Sequence, residues 1–108
     1  MRWVAAIERD ALLIDEMRGV CVDGRPVLFV HLEDGVRAYE DRCAHQGHPL
    51  SRGSLDRGVV ECAVHGWTFD ARTGTSRNPR GERLVPLDVR EDAGMLLVAL
   101  PDRREGAR

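Results

Sequence analysis

Short apolar runs separated by turn residues occupy most of this chain. Asp23-Gly24 and Glu33-Asp34-Gly35 are typical of tight turns between neighbouring strands. Strands are predicted at residues 18–22, 26–32, 36–39, 58–61, 67–69, 84–89 and 95–100. Only residues 10–16 favour a helical turn, which is too short to organise a fold. The pattern predicts an all-β domain, built as an antiparallel sandwich or a small barrel.

The length and composition limit the classes of protein to consider. A chain of 108 residues predicts one domain, and 43% apolar with 31% charged residues is ordinary for a globular protein. The net charge of −2 gives no basic surface for nucleic acid. No apolar run is long enough to cross a membrane, and no secretory signal is recognisable. We therefore expect a cytoplasmic protein.

The three cysteines favour metal binding over disulfides, because their number is odd and the expected compartment is reducing. Cys21 stands between two valines of a predicted strand, and we expect it to be buried there. Elsewhere in the chain, His31 is expected to be structural. Glu33, Asp34, Glu40, Asp41 and Asp56 are expected on the solvated surface, where acidic side chains can steer a basic partner.

The other two cysteines each precede a histidine at short range, as Cys43-Ala44-His45 and Cys62-Ala63-Val64-His65. Two thiolates and two imidazoles are the ligands of a Rieske [2Fe–2S] centre, in which the cysteines bind one iron and the histidines the other. A zinc site made of the same residues is the alternative. Zinc fingers, however, usually order their ligands as a cysteine pair followed by a histidine pair. The alternation favours a dinuclear iron–sulfur site.

The segments CAHQGHPLS at 43–51 and ECAVHGWTFD at 61–70 strongly resemble the Rieske-type ferredoxins of bacterial multicomponent oxygenases. The resemblance implies a Rieske fold over residues 1–100, with an antiparallel β-sandwich base and a small cluster-binding subdomain at about 43–68. It implies one [2Fe–2S] cluster held by Cys43, His45, Cys62 and His65. Residues 101–108 are predicted to form a flexible tail.

The resemblance also predicts a low reduction potential. Rieske proteins of cytochrome bc complexes carry a disulfide beside the cluster, where this chain has His48 and Val64. Those proteins also place a serine hydroxyl where this chain has Trp67. Fewer hydrogen bonds to the cluster stabilise the reduced form less, so we expect a potential of about −150 mV, at the low end of the Rieske range.

The function implied by the resemblance is electron transfer, and the chain is not expected to be an enzyme. It would carry single electrons from an NAD(P)H-dependent flavin reductase to the terminal oxygenase of an aromatic mono- or dioxygenase, as a monomer, in aromatic hydrocarbon catabolism. The motif at 65–69 favours ferredoxins of toluene-monooxygenase-type diiron enzymes. Rieske dioxygenases and the small subunit of an assimilatory nitrite reductase are the alternatives. A rim around the cluster is predicted from His48, Pro49, Trp67 and Pro79.

Overall fold

The computed structural model describes residues 1–43, 47–64, 66–78 and 80–101. Within them the chain forms eleven strands, and 3-10 turns at Arg9–Ala11 and Leu50–Arg52. The strands are β1 Arg2–Glu8, β2 Met17–Val22, β3 Arg25–Leu32, β4 Gly35–Glu40, β5 Ser54–Asp56, β6 Val59–Glu61, β7 Thr68–Asp70, β8 Ser76–Asn78, β9 Pro86–Leu87, β10 Val89–Asp92 and β11 Met95–Leu100. The described residues contain no helix that could cross a membrane.

The strands form three antiparallel sheets. The first has the order β1-β11-β10, the second β2-β3-β4-β9 and the third β5-β6-β7-β8. β1 pairs with β11, so the two ends of the described domain meet in one sheet. The prediction of an all-β antiparallel fold is confirmed. The predicted helical turn at 10–16 is reduced to the single 3-10 turn Arg9–Ala11.

Strand β3 explains how the sheets stack, because its residues from Val27 to Leu32 are all buried. Successive side chains of a strand point to opposite faces. Leu28 and Val30 accordingly enter one hydrophobic core, while Val27 and Phe29 enter another. A strand buried on both faces reads as a continuous apolar run. The second sheet therefore lies between two cores.

The two cores differ in their members. The core that we call the cysteine core contains Leu28, Val30, Leu32, Tyr39, Cys43, Leu50, Val60, Cys62, Phe69, Ala71 and Leu84. The core that we call the apolar core contains Leu12, Val22, Val27, Phe29, Ala38, Leu96, Val98 and Leu100. The cysteine core thus joins the second sheet to the third, and the apolar core joins the second sheet to the first.

The hairpin predicted around Asp23-Gly24 is confirmed, with β2 and β3 paired in continuous register.

The prediction that Cys21 is buried is wrong, because its side chain is exposed. Its neighbour Val22 is buried in the apolar core, and the alternation along β2 turns Cys21 outwards. His31 is buried, and its Nδ1 lies 2.9 Å from the carbonyl oxygen of Leu12, in agreement with the structural role expected for it.

Candidate metal centre

The first predicted ligand loop, residues 43–48, follows the end of β4 and is closed by two backbone hydrogen bonds. The Cys43 N–H donates to the carbonyl oxygen of His48 at 2.7 Å, and the Gly47 N–H donates to that of Cys43 at 2.8 Å. Gly47 has φ of 73°, a left-handed conformation that glycine adopts without steric cost. The loop therefore returns tightly beside its own cysteine.

The second predicted ligand loop, residues 62–67, follows β6 and has the same pattern. The Cys62 N–H donates to the carbonyl oxygen of Trp67 at 2.8 Å, and the Gly66 N–H donates to that of Cys62 at 3.1 Å. Gly66 has φ of 69°. Two loops of different sequence thus share one turn geometry, each beginning at a cysteine. This shared geometry is what a site with two equivalent arms requires.

The cysteines at the start of the two loops share one core. Cys43 is 4% and Cys62 is 2% exposed, and both belong to the cysteine core. No disulfide joins the chain's three cysteines, all of which the structure describes. Thiolates that bind a metal are kept from water by burial of this kind. The donor chemistry of the two loops fits an iron–sulfur cluster with two thiolate ligands.

Tyr39 connects the sheets that carry the two loops. It lies on β4 in the second sheet, and its hydroxyl donates to the carbonyl oxygen of Ala71, just beyond β7 of the third sheet, at 2.7 Å. Burial raises the pKa of Tyr39 above its ordinary value; the carboxylate of Asp70 adds to this and the guanidinium of Arg37 opposes it. The phenol therefore stays protonated and keeps its donor role at neutral pH.

The prediction that Asp41 lies on the solvated surface is wrong, because this residue is only 6% exposed. Its Oδ1 accepts the Ser51 N–H at 2.9 Å, and its Oδ2 accepts the Ser51 hydroxyl at 2.6 Å. Its own N–H donates to the carbonyl oxygen of Pro26 at 3.0 Å. Asp41 precedes the first ligand loop and Ser51 follows it, so this clamp fixes both ends of the loop. Sequence reasoning missed it.

Several predicted site residues lie outside the described part of the chain, namely His45, His65 and Pro79. Residues 102–108 of the predicted tail lie outside it as well. Among the described residues alone, no group of three or more potential metal ligands comes together. The described half of the predicted ligand set is the pair of buried cysteines, and the full set stays a prediction.

The described members of the predicted rim are partly buried. His48 and Pro49 are half-buried next to the first ligand loop. Trp67 packs against the cysteine core with its ring centroid 6.5 Å from that of Phe69. The neighbouring Val64, in the second ligand loop, is 50% exposed. Trp67 therefore has a packing role, and its place in a contact surface stays a prediction.

A family model for the Rieske [2Fe–2S] domain matches residues 2–88. The chain therefore belongs to the Rieske [2Fe–2S] domain family, whose cofactor is a Rieske-type cluster. The match includes all of the first ligand loop and all of the second. The zinc alternative loses its support, because the match identifies the residues around both Cys-His pairs as an iron–sulfur domain.

The chain is similar to ferredoxins that occur as separate components. The ferredoxin of carbazole 1,9a-dioxygenase from Nocardioides aromaticivorans IC177 superposes with a TM-score of 0.81 over 92% of this chain and 98% of that one, at 29% identity. The ferredoxin component of the naphthalene 1,2-dioxygenase system of Pseudomonas putida is 28% identical over 74 residues, covering 68% of this chain and 71% of that protein.

The same domain also occurs as a small part of larger proteins. The chloroplastic protein TIC 55 of Pisum sativum is 33% identical over 85 residues, or 70% of this chain. Those residues are only 15% of the length of TIC 55. The Rieske domain thus occurs both as a separate ferredoxin and as a small part of a longer protein.

Proposed function

We propose that this protein is a ferredoxin that carries single electrons from an NAD(P)H-dependent flavin reductase to the terminal oxygenase of an aromatic oxygenase system. The observation that carries the proposal is the pair of ligand loops of equal geometry, each beginning at a cysteine buried in one core. The similarity to the ferredoxin of carbazole 1,9a-dioxygenase, which covers 98% of that chain, supports the role of an electron carrier. A monomeric, cytoplasmic carrier fits this role.

We propose Cys43, His45, Cys62 and His65 as the four ligands. When bound, the cluster supplies a centre that accepts and releases one electron. The chain's own contribution is to bury the two thiols and to hold the loops by backbone hydrogen bonds. Holding the ligands in fixed positions keeps the change in geometry small when the charge changes. It also keeps water from the thiolates.

The proposed cluster-binding subdomain is longer than the sequence suggests. The sequence places it at about 43–68 within a domain of residues 1–100. The third sheet, however, pairs β7 with β8, which ends at Asn78. We therefore propose that the subdomain extends from Cys43 to about residue 78, and that the first two sheets form its base.

The partner surface is proposed at the tips of the two ligand loops. Val64 is an exposed apolar side chain in the second loop, and the half-buried Trp67 follows it closely. Exposed apolar residues beside a redox centre favour a contact site, and tryptophan is enriched at the centres of such sites. His48, Pro49 and Pro79 complete the proposed rim.

Trp67→Ala is expected to slow electron transfer to the oxygenase without changing the cluster spectrum.

The class of oxygenase has two candidates. The similarity to the carbazole and naphthalene ferredoxins favours an aromatic dioxygenase. The motif at 65–69 favours a diiron monooxygenase of the toluene-monooxygenase type. Transfer rates from the reduced protein to one purified enzyme of each type distinguish the two. A preference for a sirohaem nitrite reductase would instead overturn the oxygenase role.

The cluster itself is tested by iron and labile-sulfide content, the visible spectrum and electron paramagnetic resonance after anaerobic purification. Cys62→Ser is expected to lose the cluster, whereas the matched control Cys21→Ser, at an exposed cysteine, keeps it. The double substitution His45→Ala and His65→Ala is expected to abolish the Rieske signal.

A redox titration should give a midpoint potential of about −150 mV. A colourless protein containing zinc, or a Rieske signal that survives loss of both histidines, would contradict the proposal.

A further inference from the structure

We propose that Arg42 and Glu61 set the reduction potential in opposite directions, Arg42 raising it and Glu61 lowering it. Each residue immediately precedes a proposed cysteine ligand, and the two carry opposite charges. The inference rests on the proposed function, because it concerns the cluster that the two loops would hold. It assigns roles to two side chains that belong neither to the proposed ligands nor to the proposed rim.

The Arg42 guanidinium lies against its own ligand loop. A Cβ atom placed on Gly47 would lie 3.6 Å from one terminal nitrogen and 3.8 Å from Nε, so the cation lies beside Gly47. The carboxylate of the nearby Glu40 pairs with Arg25, at 3.8 Å, and not with Arg42. Among the described residues, Arg42 forms no salt bridge. Its charge therefore lies beside the first ligand loop, and no carboxylate of the described residues pairs with it.

The Glu61 carboxylate has the equivalent position on the other loop. A Cβ atom placed on Gly66 would lie 3.6 Å from Glu61 Oε2. Arg52 lines the same surface cavity of about 390 Å³ but forms no salt bridge with Glu61 in the described part of the chain. In each loop, the charged group of the residue before the cysteine thus lies beside a glycine, which is four positions after that cysteine. The equal backbone geometry places a cation on one arm and an anion on the other.

Fixed charges at these positions act on the electron equilibrium. Reduction adds one negative charge to the cluster, so a nearby cation stabilises the reduced form and a nearby anion destabilises it. Each charge lies beside the glycine of a loop that begins at a proposed cysteine ligand, so both charges act on the site from its two arms. Both side chains are exposed, and water and salt screen the interaction. The expected effects are consequently modest and depend on salt.

The test is redox titration of holoprotein variants at low ionic strength. Arg42→Gln is expected to decrease the equilibrium constant for reduction about threefold, and Glu61→Gln is expected to increase it about threefold. Because a tenfold change in this constant corresponds to about 59 mV, each substitution should shift the reduction potential by about 28 mV. The double variant should return close to the wild type. Arg42→Lys and Glu61→Asp, which keep the charges, should shift the potential less. All shifts should shrink as salt is added.

The controls are Arg90→Gln and Asp92→Asn, which remove exposed charges from β10 in the first sheet. Shifts of the same sign in Arg42→Gln and Glu61→Gln, or shifts no larger than those of the controls, would overturn the inference. If a glutamine variant loses iron, the neutral pair Arg42→Met and Glu61→Leu is measured by the same criterion. Absence of a cluster from the wild-type protein would instead overturn the proposed function, so the two failures are distinguishable.

Discussion

The cysteine core and the apolar core lie on opposite faces of the same strand, yet they are built differently. The apolar core lies between β3 and β11, strands of eight and six residues, and all its members are apolar. The cysteine core is enclosed on its far side by three-residue strands and by loops, and it contains two thiols. Strand pairing and apolar burial suffice to form the first. The second also contains side-chain hydrogen bonds and close backbone contacts, and it carries the two cysteines proposed as ligands.

The difference assigns the two cores different tasks. The apolar core fixes the base of the domain whatever the state of the site. In the proposed function, the cysteine core holds the two ligand loops in place while the cluster gains and loses one electron. Metal binding adds to folding free energy because the binding geometry exists only in the folded state. We therefore expect damage to the cysteine core to appear first as loss of iron, and damage to the apolar core as loss of global stability.

The largest effect is expected from Gly53→Ala, on the cysteine-core side. A Cβ atom at Gly53 would lie 1.8 Å from the carbonyl oxygen of Glu61, so the backbone of β6 and the second ligand loop would have to move. We expect a loss of stability beyond about 5 kcal/mol, with loss of the cluster. Iron content and denaturant unfolding measure it. The control Ser54→Ala, at the next and exposed position, should be nearly neutral; a Gly53→Ala protein with normal iron content would contradict the close contact.

The next effect compares two fully buried phenylalanines, Phe69 in the cysteine core and Phe29 in the apolar core. Replacing either with alanine should cost about 3–5 kcal/mol through lost burial and the cavity left behind. Phe69→Ala should also speed the loss of iron to a chelator, because Phe69 packs in the same core as both cysteines. Phe29→Ala should lower the melting temperature with little change in chelation rate. Equal chelation rates would show that the two cores are not independent.

The sequence predicts the strands that carry their own apolar pattern, and it misses those formed by pairing alone. β5 and β8 read SLD and SRN, and nothing in their composition indicates a strand. They form because β6 and β7, which were predicted, offer them open edges. β1 was missed because a register shift between Ala5 and Ile7 interrupts its alternation, and its partner β11 lies at the other end of the chain.

The two Cys-His pairs stand out in the sequence because the spacing within each pair is local and chemically specific, and their role as ligands stays a prediction. The clamp between Asp41 and Ser51 could not be predicted, since the partners are ten positions apart and both residue types are common in exposed turns. The prediction that Cys21 is buried failed for a related reason. Flanking valines indicate a strand, but the direction in which the middle residue points depends on which face of that strand meets the core.

The smallest predicted effect concerns Tyr39, which links the second and third sheets through one hydrogen bond. Tyr39→Phe removes the hydroxyl that donates to the Ala71 carbonyl oxygen and should destabilise the protein by about 1–2 kcal/mol. The ring itself should stay in place, because it fills the space over Gly74, where a Cβ atom would lie 2.7 Å from Tyr39 Cε1. Denaturant unfolding of holoprotein measures the loss. An unchanged midpoint would mean that the hydrogen bond is not stabilising.

The same tyrosine should make the free energy of unfolding depend on pH in the alkaline range. Burial raises the pKa of Tyr39 above the 10.0 of the unfolded chain, so the unfolded state releases its proton first as pH rises. The stabilisation is then fully present below pH 10.0 and is lost as pH climbs through the folded-state pKa. Wild-type protein should lose stability more steeply than Tyr39→Phe above that pH, in parallel unfolding curves. Equal slopes would show that the phenol is not shielded by the cysteine core, and that the link between the sheets is open to water.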